Sequence, residues 1–249
     1  MKPLVAKIKP ATGFANLLHL GLVMLLPLVV FVLVANQFVQ LALSVILLSK
    51  WRMFAVRPRF WPAMVRANAI DIMVGVSIVV FMAHTLSTSL QFVFAVLYGV
   101  WLLAIKPSNN GLLVSLQAMI GQLCGLMALF IAWSAGPLWG LIFVTALICY
   151  VSARHYFDSF DEPYARLLAY LWAYFGAALL WLLGHWLLFY GIVAQPVVLL
   201  SAIGYGLAAL YYFDHTGKLN SSLQRQFIFI MLAVVIIILS FSDWGDKVV

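Results

Sequence analysis

The sequence predicts an all-α fold, a polytopic transmembrane helix bundle, and three observations predict it. Of 249 residues, 66% are hydrophobic and only 8% charged, against about 45–50% and about 25% in soluble domains. The apolar residues fall in long runs, several close to the ~20 residues a helix needs to cross a ~30 Å hydrocarbon layer. Nearly all basic residues sit in the short connections between those runs. With a mean hydropathy of +1.10, the chain has too few polar groups to cover the surface of a water-soluble domain. Disordered chains and coiled coils are excluded by the same composition.

Taken in order, the first run spans 14–34 and holds Pro27, which should kink it. The second, 37–49, measures only about 20 Å as a helix. These two form either a tight hairpin or one long tilted helix. The polar Ala35-Asn36-Gln37 stretch would then lie in hydrocarbon, which favours the hairpin. Further runs follow at 68–84, 89–105, 112–134, 138–151, 165–189, 194–213 and 226–241. Turn chemistry separates them at Lys106-Pro107-Ser108-Asn109-Asn110, at Ala135-Gly136-Pro137 and at Gln195-Pro196. The expectation is about nine crossings, or about eight if the first two runs merge.

Charge orients the bundle. With about nine crossings and the N-terminus inside, every basic residue except Lys247 falls on one face: Lys2, Lys7, Lys9, Lys50, Arg52, Arg57, Arg59, Arg66, Lys106, Arg154, Arg166, Lys218 and Arg225. Such sorting is the positive-inside pattern and predicts a cytoplasmic N-terminus. The opposite connections at 85–88, 135–137 and 190–195 are uncharged. A net charge of +7 would suggest nucleic acid in a soluble protein. Here no polar stretch is long enough to fold as a basic domain, so no nucleic-acid partner is expected. The expected surroundings are the lipid bilayer of the cytoplasmic membrane, anionic headgroups at its inner face and other membrane proteins. The basic start, 1–10, leads into a run too long for a secretory signal, and that run is expected to remain in the mature chain. No fixed-period or inverted repeat divides the sequence, so a single domain, 1–249, is expected.

Candidate sites are few. Cys124 and Cys149 lie within apolar runs and suit packing rather than a disulfide or zinc site. The 50–66 segment interleaves Lys50, Arg52, Arg57, Arg59 and Arg66 with Trp, Phe and Met. It reads as an interfacial anchor, or alternatively as a phosphate or lipid-headgroup site. Asn68 followed by Asp71 resembles an N-cap with an acid in the first turn, and Arg59 and Arg66 are near enough in sequence to pair with that acid. The 154–166 segment carries His155, Asp158, Asp161 and Glu162. If the preceding helix continued, His155, Asp158 and Glu162 would share a face suited to a hard divalent cation, with Asp71 as a further oxygen donor. The pattern Asp158-x-x-Asp161-x-x-x-Ala165-Arg166 also resembles the first half of the CDP-alcohol phosphatidyltransferase motif. That resemblance implies metal-binding carboxylates. Glu162, however, stands at the motif's glycine, and the later glycine and two aspartates are missing. A solvated segment with internal ion pairs is the expected outcome.

His84 and His185 are expected at one depth near the outer interface, where two histidines could ligate haem or relay protons, or simply bond nearby carbonyls. His19 lies near the other face. Gln117, Gly121, Gln122 and Gly125 mark the fifth run with a small-xxx-small face, suited to helix packing or to a polar pathway. Gly204 and Gly206 read similarly. Tyr170, Trp172, Tyr174, Trp181, Trp186 and Tyr190 make the seventh run strongly aromatic, which suits packing or stacking on an isoprenoid. No lysine lies within a run, which excludes a retinal Schiff base, and no arginine series crosses as in a voltage sensor. GxSxG, GKS/T, HExxH and GxGxxG are all absent. No cofactor is expected. With no convergent ionisable groups evident among the runs, a non-catalytic permease-like protein or a subunit of a membrane assembly is the leading expectation. The alternative is a membrane enzyme acting on phospholipid or polyprenyl-phosphate headgroups through the basic segment and Asp71, His155, Asp158, Asp161 or Asp214.

Overall fold

A computed structural model describes residues 14–106, 111–185, 189–190 and 193–242, with the backbone alone at 14–20, 22, 52 and 189–190. The apolar runs become helices because each run must satisfy its own backbone hydrogen bonds away from water. They are α1 (Phe14–Ala35), α2 (Val39–Leu48), α3 (Trp61–Ala83), α4 (Thr88–Val100), α5 (Gly111–Trp133), α6 (Leu138–Asp158), α7 (Ala165–Leu183), α8 (Gln195–His215) and α9 (Ser221–Phe241). Among the described residues, 7 helices are long and apolar enough to cross a membrane. The fold is all-α. Among the described residues the strands are a two-residue antiparallel pair, β1 (Phe189–Tyr190) with β2 (Val193–Ala194), just before α8.

Between α1 and α2 the chain turns sharply. Asn36 Nδ2 donates to the Val32 carbonyl at 2.7 Å and Gln37 takes a left-handed φ of 66°. Several boundaries differ from expectation: α7 stops at Leu183, short of 189, with Phe189 and Tyr190 in a strand, α9 begins at Ser221 rather than 226, and α3 and α6 are each longer than their runs. Helix α3 starts at Trp61, with Pro62 in its first turn, where a missing N–H leaves no bond unmade. Asn68 therefore lies inside the helix, its Nδ2 donating to the Met64 carbonyl at 2.9 Å. The N-cap reading of Asn68 is corrected, and Asp71 sits about 15 Å along α3 rather than in its first turn. Helix α6 likewise continues past 151 to Asp158, because nothing between breaks it, and carries Arg154, His155 and Asp158 in helical register.

Two larger cores organise the bundle, with a smaller one of Leu183, Leu199 and Ile238 joining α7, α8 and α9. Val30 and Val34 of α1, Ile46 of α2, Val74 and Met82 of α3 and Tyr98 of α4 form the first. Leu126 of α5, Cys149 of α6, Leu180 of α7 and Leu200 of α8 belong to the second. Helices α3 and α5 join them: Gly121 and Gly125 face Ile70 and Met73 so closely that a Cβ at Gly125 would lie 2.7 Å from Met73 Sδ. Helix α9 packs on α8 and buries only 6% of its apolar window. Large apolar side chains such as Trp139, Tyr174 and Phe229 point outward around the bundle. That surface is matched to lipid, not to water.

Candidate functional site

At the end of the bundle where α2 stops, α3 enters and α4 ends, three charged side chains meet. Asp71 accepts from the Lys50 ammonium and from Lys106 Nζ (2.5 Å), both at Oδ2, and from Trp101 Nε1 at Oδ1 (3.0 Å). Asp71 and Lys50 are buried, and the Lys106 side chain is half-exposed. A lone carboxylate in such a place would cost several kcal/mol; three donors make it tenable. A π-helical turn at Trp101–Ile105 ends α4 and aligns two of the donors. In an α-helix, residues five apart point about 140° away from each other. The wider turn, closed by Lys106 N–H donating to the Trp101 carbonyl at 2.9 Å, lets both side chains reach one carboxylate.

Asp71 is thus held by residues 21 and 35 positions away, not by Arg59 or Arg66. Arg66 instead reaches Asp158 at 3.5 Å, Arg154 pairs with Asp158 at 2.8 Å, and the Arg59 guanidinium lies 4.6 Å over the Phe60 ring. An ionisable centre does exist inside the bundle, contrary to the sequence expectation.

Burial pushes the Lys50 ammonium below its ordinary value of 10.5, and Lys106, competing for the same carboxylate, adds to the effect against the pull of Asp71. The folded chain therefore binds this proton less tightly than the unfolded chain. Raising the pH towards 10.5 should favour the folded state through Lys50, and lowering it should remove that contribution. Comparing detergent-denaturation midpoints across alkaline pH for wild type and Lys50→Met tests this: the variant should lose part of the slope.

Next to this cluster, Gln117 ties three helices together. Its Nε2 donates to the Ile105 carbonyl at 2.6 Å, an acceptor at the end of the π-turn, and its Oε1 contacts His155 Nε2 at 3.1 Å. Nearby, Tyr211 donates its hydroxyl proton to Glu162 at 2.6 Å.

A second feature lies between α5, α6, α7 and α8. Helix α7 packs closely on α6 but only sparsely on α8, leaving a partly open chamber of about 360 Å³. Its walls are overwhelmingly apolar and aromatic, including Ala118, Trp172, Phe175 and Phe157. Gln122, Trp172 and Gly204, near the middle of their helices, line its inner end; Tyr156 and Tyr211 line it towards the ion cluster's side of the bundle. Gln122 is engaged at both ends of its amide, accepting from Trp172 Nε1 at 2.8 Å and donating to the Leu200 carbonyl at 3.1 Å. Gly204 permits that approach, since a Cβ there would stand 3.0 Å from Trp172 and 3.1 Å from Gln122. By contrast, the hydroxyls of Ser152 and Ser201, both lining the chamber, are buried without a hydrogen-bond partner. Helical serines usually donate to a carbonyl one turn back. These two do not.

The remaining candidates are dispersed. His84 Nδ1 contacts the Val80 carbonyl at 3.0 Å and His185 Nδ1 the Trp181 carbonyl at 2.7 Å, each on its own helix. His155, Asp158, Asp161 and Asp71 do not come together: Asp71 faces the lysines, Asp158 the arginines, and His155 faces Gln117. Among the described residues no three His, Cys, Asp or Glu side chains are placed to hold a metal ion. Arg57 is exposed. Lys2, Lys7, Lys9, Trp186, Lys247, the turn at 107–110 and the side chains of Arg52 and His19 lie outside the described residues. Sequence reasoning missed Lys106 and Trp101 as partners of Asp71, and Ser152 and Ser201 as chamber residues. A buried acid's need for cations at its own depth was the one signal pointing to Lys106.

The fold and its lipid-matched surface define the chain as a polytopic α-helical integral membrane protein. Compared with known proteins, it matches no family, no curated protein and no solved structure.

Proposed function

We propose that this chain is a permease-like protein, or a ligand-holding subunit of a membrane assembly, that accommodates a neutral and largely apolar molecule between α5, α6, α7 and α8. One observation carries this: an apolar chamber within the usual size range of ligand sites contains two buried hydroxyls with no partner. An unpaired buried hydroxyl costs about 1–3 kcal/mol. A ligand carbonyl accepting from Ser152 or Ser201 relieves that cost, while its hydrocarbon body meets Trp172, Phe175 and Phe157. Among the described residues no charged side chain lines the chamber, so a neutral ligand fits better than an ionic one. Of the groups an enzyme acting on headgroups could use, Asp71 has both oxygens engaged and Asp158 serves Arg66 and Arg154.

The test is thermal unfolding of the purified chain with a long-chain neutral ketone as the probe. Wild type should be stabilised by several degrees, because a ligand that binds only the folded state raises its midpoint. Ala118→Phe, which fills the chamber, should abolish the shift. An equal shift in both proteins would contradict the proposal.

The same reading takes nine crossings with the N-terminus in the cytoplasm of a cell bounded by its plasma membrane. Met24 lies against Gly99 and Phe31 packs on Phe92 at 5.8 Å, so α1 runs antiparallel to α4 and starts at the level of Lys106. Helix α2, only about 15 Å long, then returns to deliver Lys50 to Asp71. A cysteine placed at Asn36 should react with a membrane-impermeant maleimide from outside intact cells, and one at Ala55 only after permeabilisation. Labelling of Ala55→Cys in intact cells would reverse the orientation.

A further inference from the structure

We propose that Lys50 and Lys106 form a binding site for a phosphate group, separate from the apolar chamber. Both ammoniums converge on one oxygen of Asp71, so the cluster carries one positive charge more than its carboxylate can neutralise. Each ammonium has three donors and spends one on Asp71. A cleft of about 270 Å³ opens beside them, lined by Ser49, Lys50, Met53, Met64, Asn68 and Lys106. Among the described residues, Asp71 is the acid paired with these lysines. Asp158 serves Arg66 and Arg154 instead.

The surplus charge is held in place, not left free to disperse. Lys50 is 8% exposed and cannot swing into water without leaving Asp71 uncompensated. An anion entering the cleft would neutralise the surplus, accept from both lysines and relieve their mutual repulsion. Phosphate suits this better than a single carboxylate, since it offers several oxygens to two ammoniums at once. The exposed Arg57 and Arg59 on the same connection add positive potential to this face of the protein. Exposed Trp51, Phe54, Phe60 and Trp61 on the adjoining segment suit headgroup depth, within reach of phospholipids as well as of soluble phosphate.

Binding to the full chain in neutral detergent tests the site. The probes are phosphatidic acid, phosphatidylcholine and inorganic phosphate, counted by native mass spectrometry and titrated by calorimetry. Lys106→Gln removes the surplus charge while leaving the Lys50–Asp71 pair intact. Met64→Trp fills the cleft without changing charge, and Arg225→Gln removes a distant cation. Wild type should bind one phosphatidic acid in preference to phosphatidylcholine. Both cleft variants should weaken it by at least about tenfold, Lys106→Gln through one lost charge-assisted hydrogen bond and Met64→Trp by filling the space, and Arg225→Gln should leave it unchanged. If inorganic phosphate shows the same variant pattern and the lipid does not, the phosphate site stands and its ligand is soluble. Wild-type affinity in both cleft variants, or an equal loss in Arg225→Gln, would reduce the effect to diffuse surface charge and overturn the proposal. Neither result depends on the neutral-ketone shift, so the chamber and this site fail independently.

Discussion

Asp71→Ala should destabilise the protein by about 3–5 kcal/mol, the usual cost of removing one member of a buried ionic group. The loss arises less from the missing attraction than from what stays behind: two ammoniums facing each other and a Trp101 indole N–H without its acceptor. Lys106 can partly escape, because its side chain is 37% exposed and can extend towards the interface. Lys50 has no such route. Adding Lys50→Met to Asp71→Ala should therefore recover a large part of the stability, giving a coupling energy well outside additivity. Denaturation midpoints of the wild type, both single variants and the double variant in mixed micelles would measure it. A single-variant loss below about 1 kcal/mol would mean that the cluster is not holding α2, α3 and α4 together.

Gly125→Leu should be comparably damaging for a steric reason. The first added carbon would meet Met73 Sδ at 2.7 Å and Ile148 at 3.3 Å, before the rest of the side chain is placed. Overpacking of this kind costs about 1–3 kcal/mol and sometimes more. Here it would wedge α3 from α5, the contact that unites the two cores. Gly21→Ala is the matched control, since nothing lies within 4 Å of a Cβ at that position. Alanine there should be neutral or slightly stabilising, as glycine is a poor helix residue. Equal expression and melting of the two variants would remove the special role of the α3–α5 contact.

Much of the architecture was legible in the sequence because lipid enforces a narrow grammar. Apolar runs must be helices, and Ala135-Gly136-Pro137 and Gln195-Pro196 mark breaks that match the ends of α5 and the start of α8. Helix ends were less legible where the run simply continued. Pro62 opens α3 instead of interrupting it, and α6 extends to Asp158 through polar residues that tolerate helix. The ion cluster was hidden for a different reason. Its members come from three helices, and the π-turn that brings Trp101 and Lys106 together breaks the periodicity from which faces are read. Hidden too was the chamber, since it depends on how sparsely α7 packs on α8. Ser152 and Ser201 look like ordinary small helix residues until their hydroxyls are found without partners.

Photolabelling distinguishes a neutral, largely apolar ligand held between α5, α6, α7 and α8 from one dissolved in the surrounding lipid. The purified chain would be irradiated with a diazirine-bearing long-chain ketone and its labelled peptides mapped. Labels concentrated on 152–157 and 201–211, and lost in Ala118→Phe, are the expected result. Labels confined to outward-facing positions such as Trp139, Phe143, Tyr174 and Phe229, unchanged by Ala118→Phe, would show that the probe dissolves only in the lipid-facing surface and would contradict it.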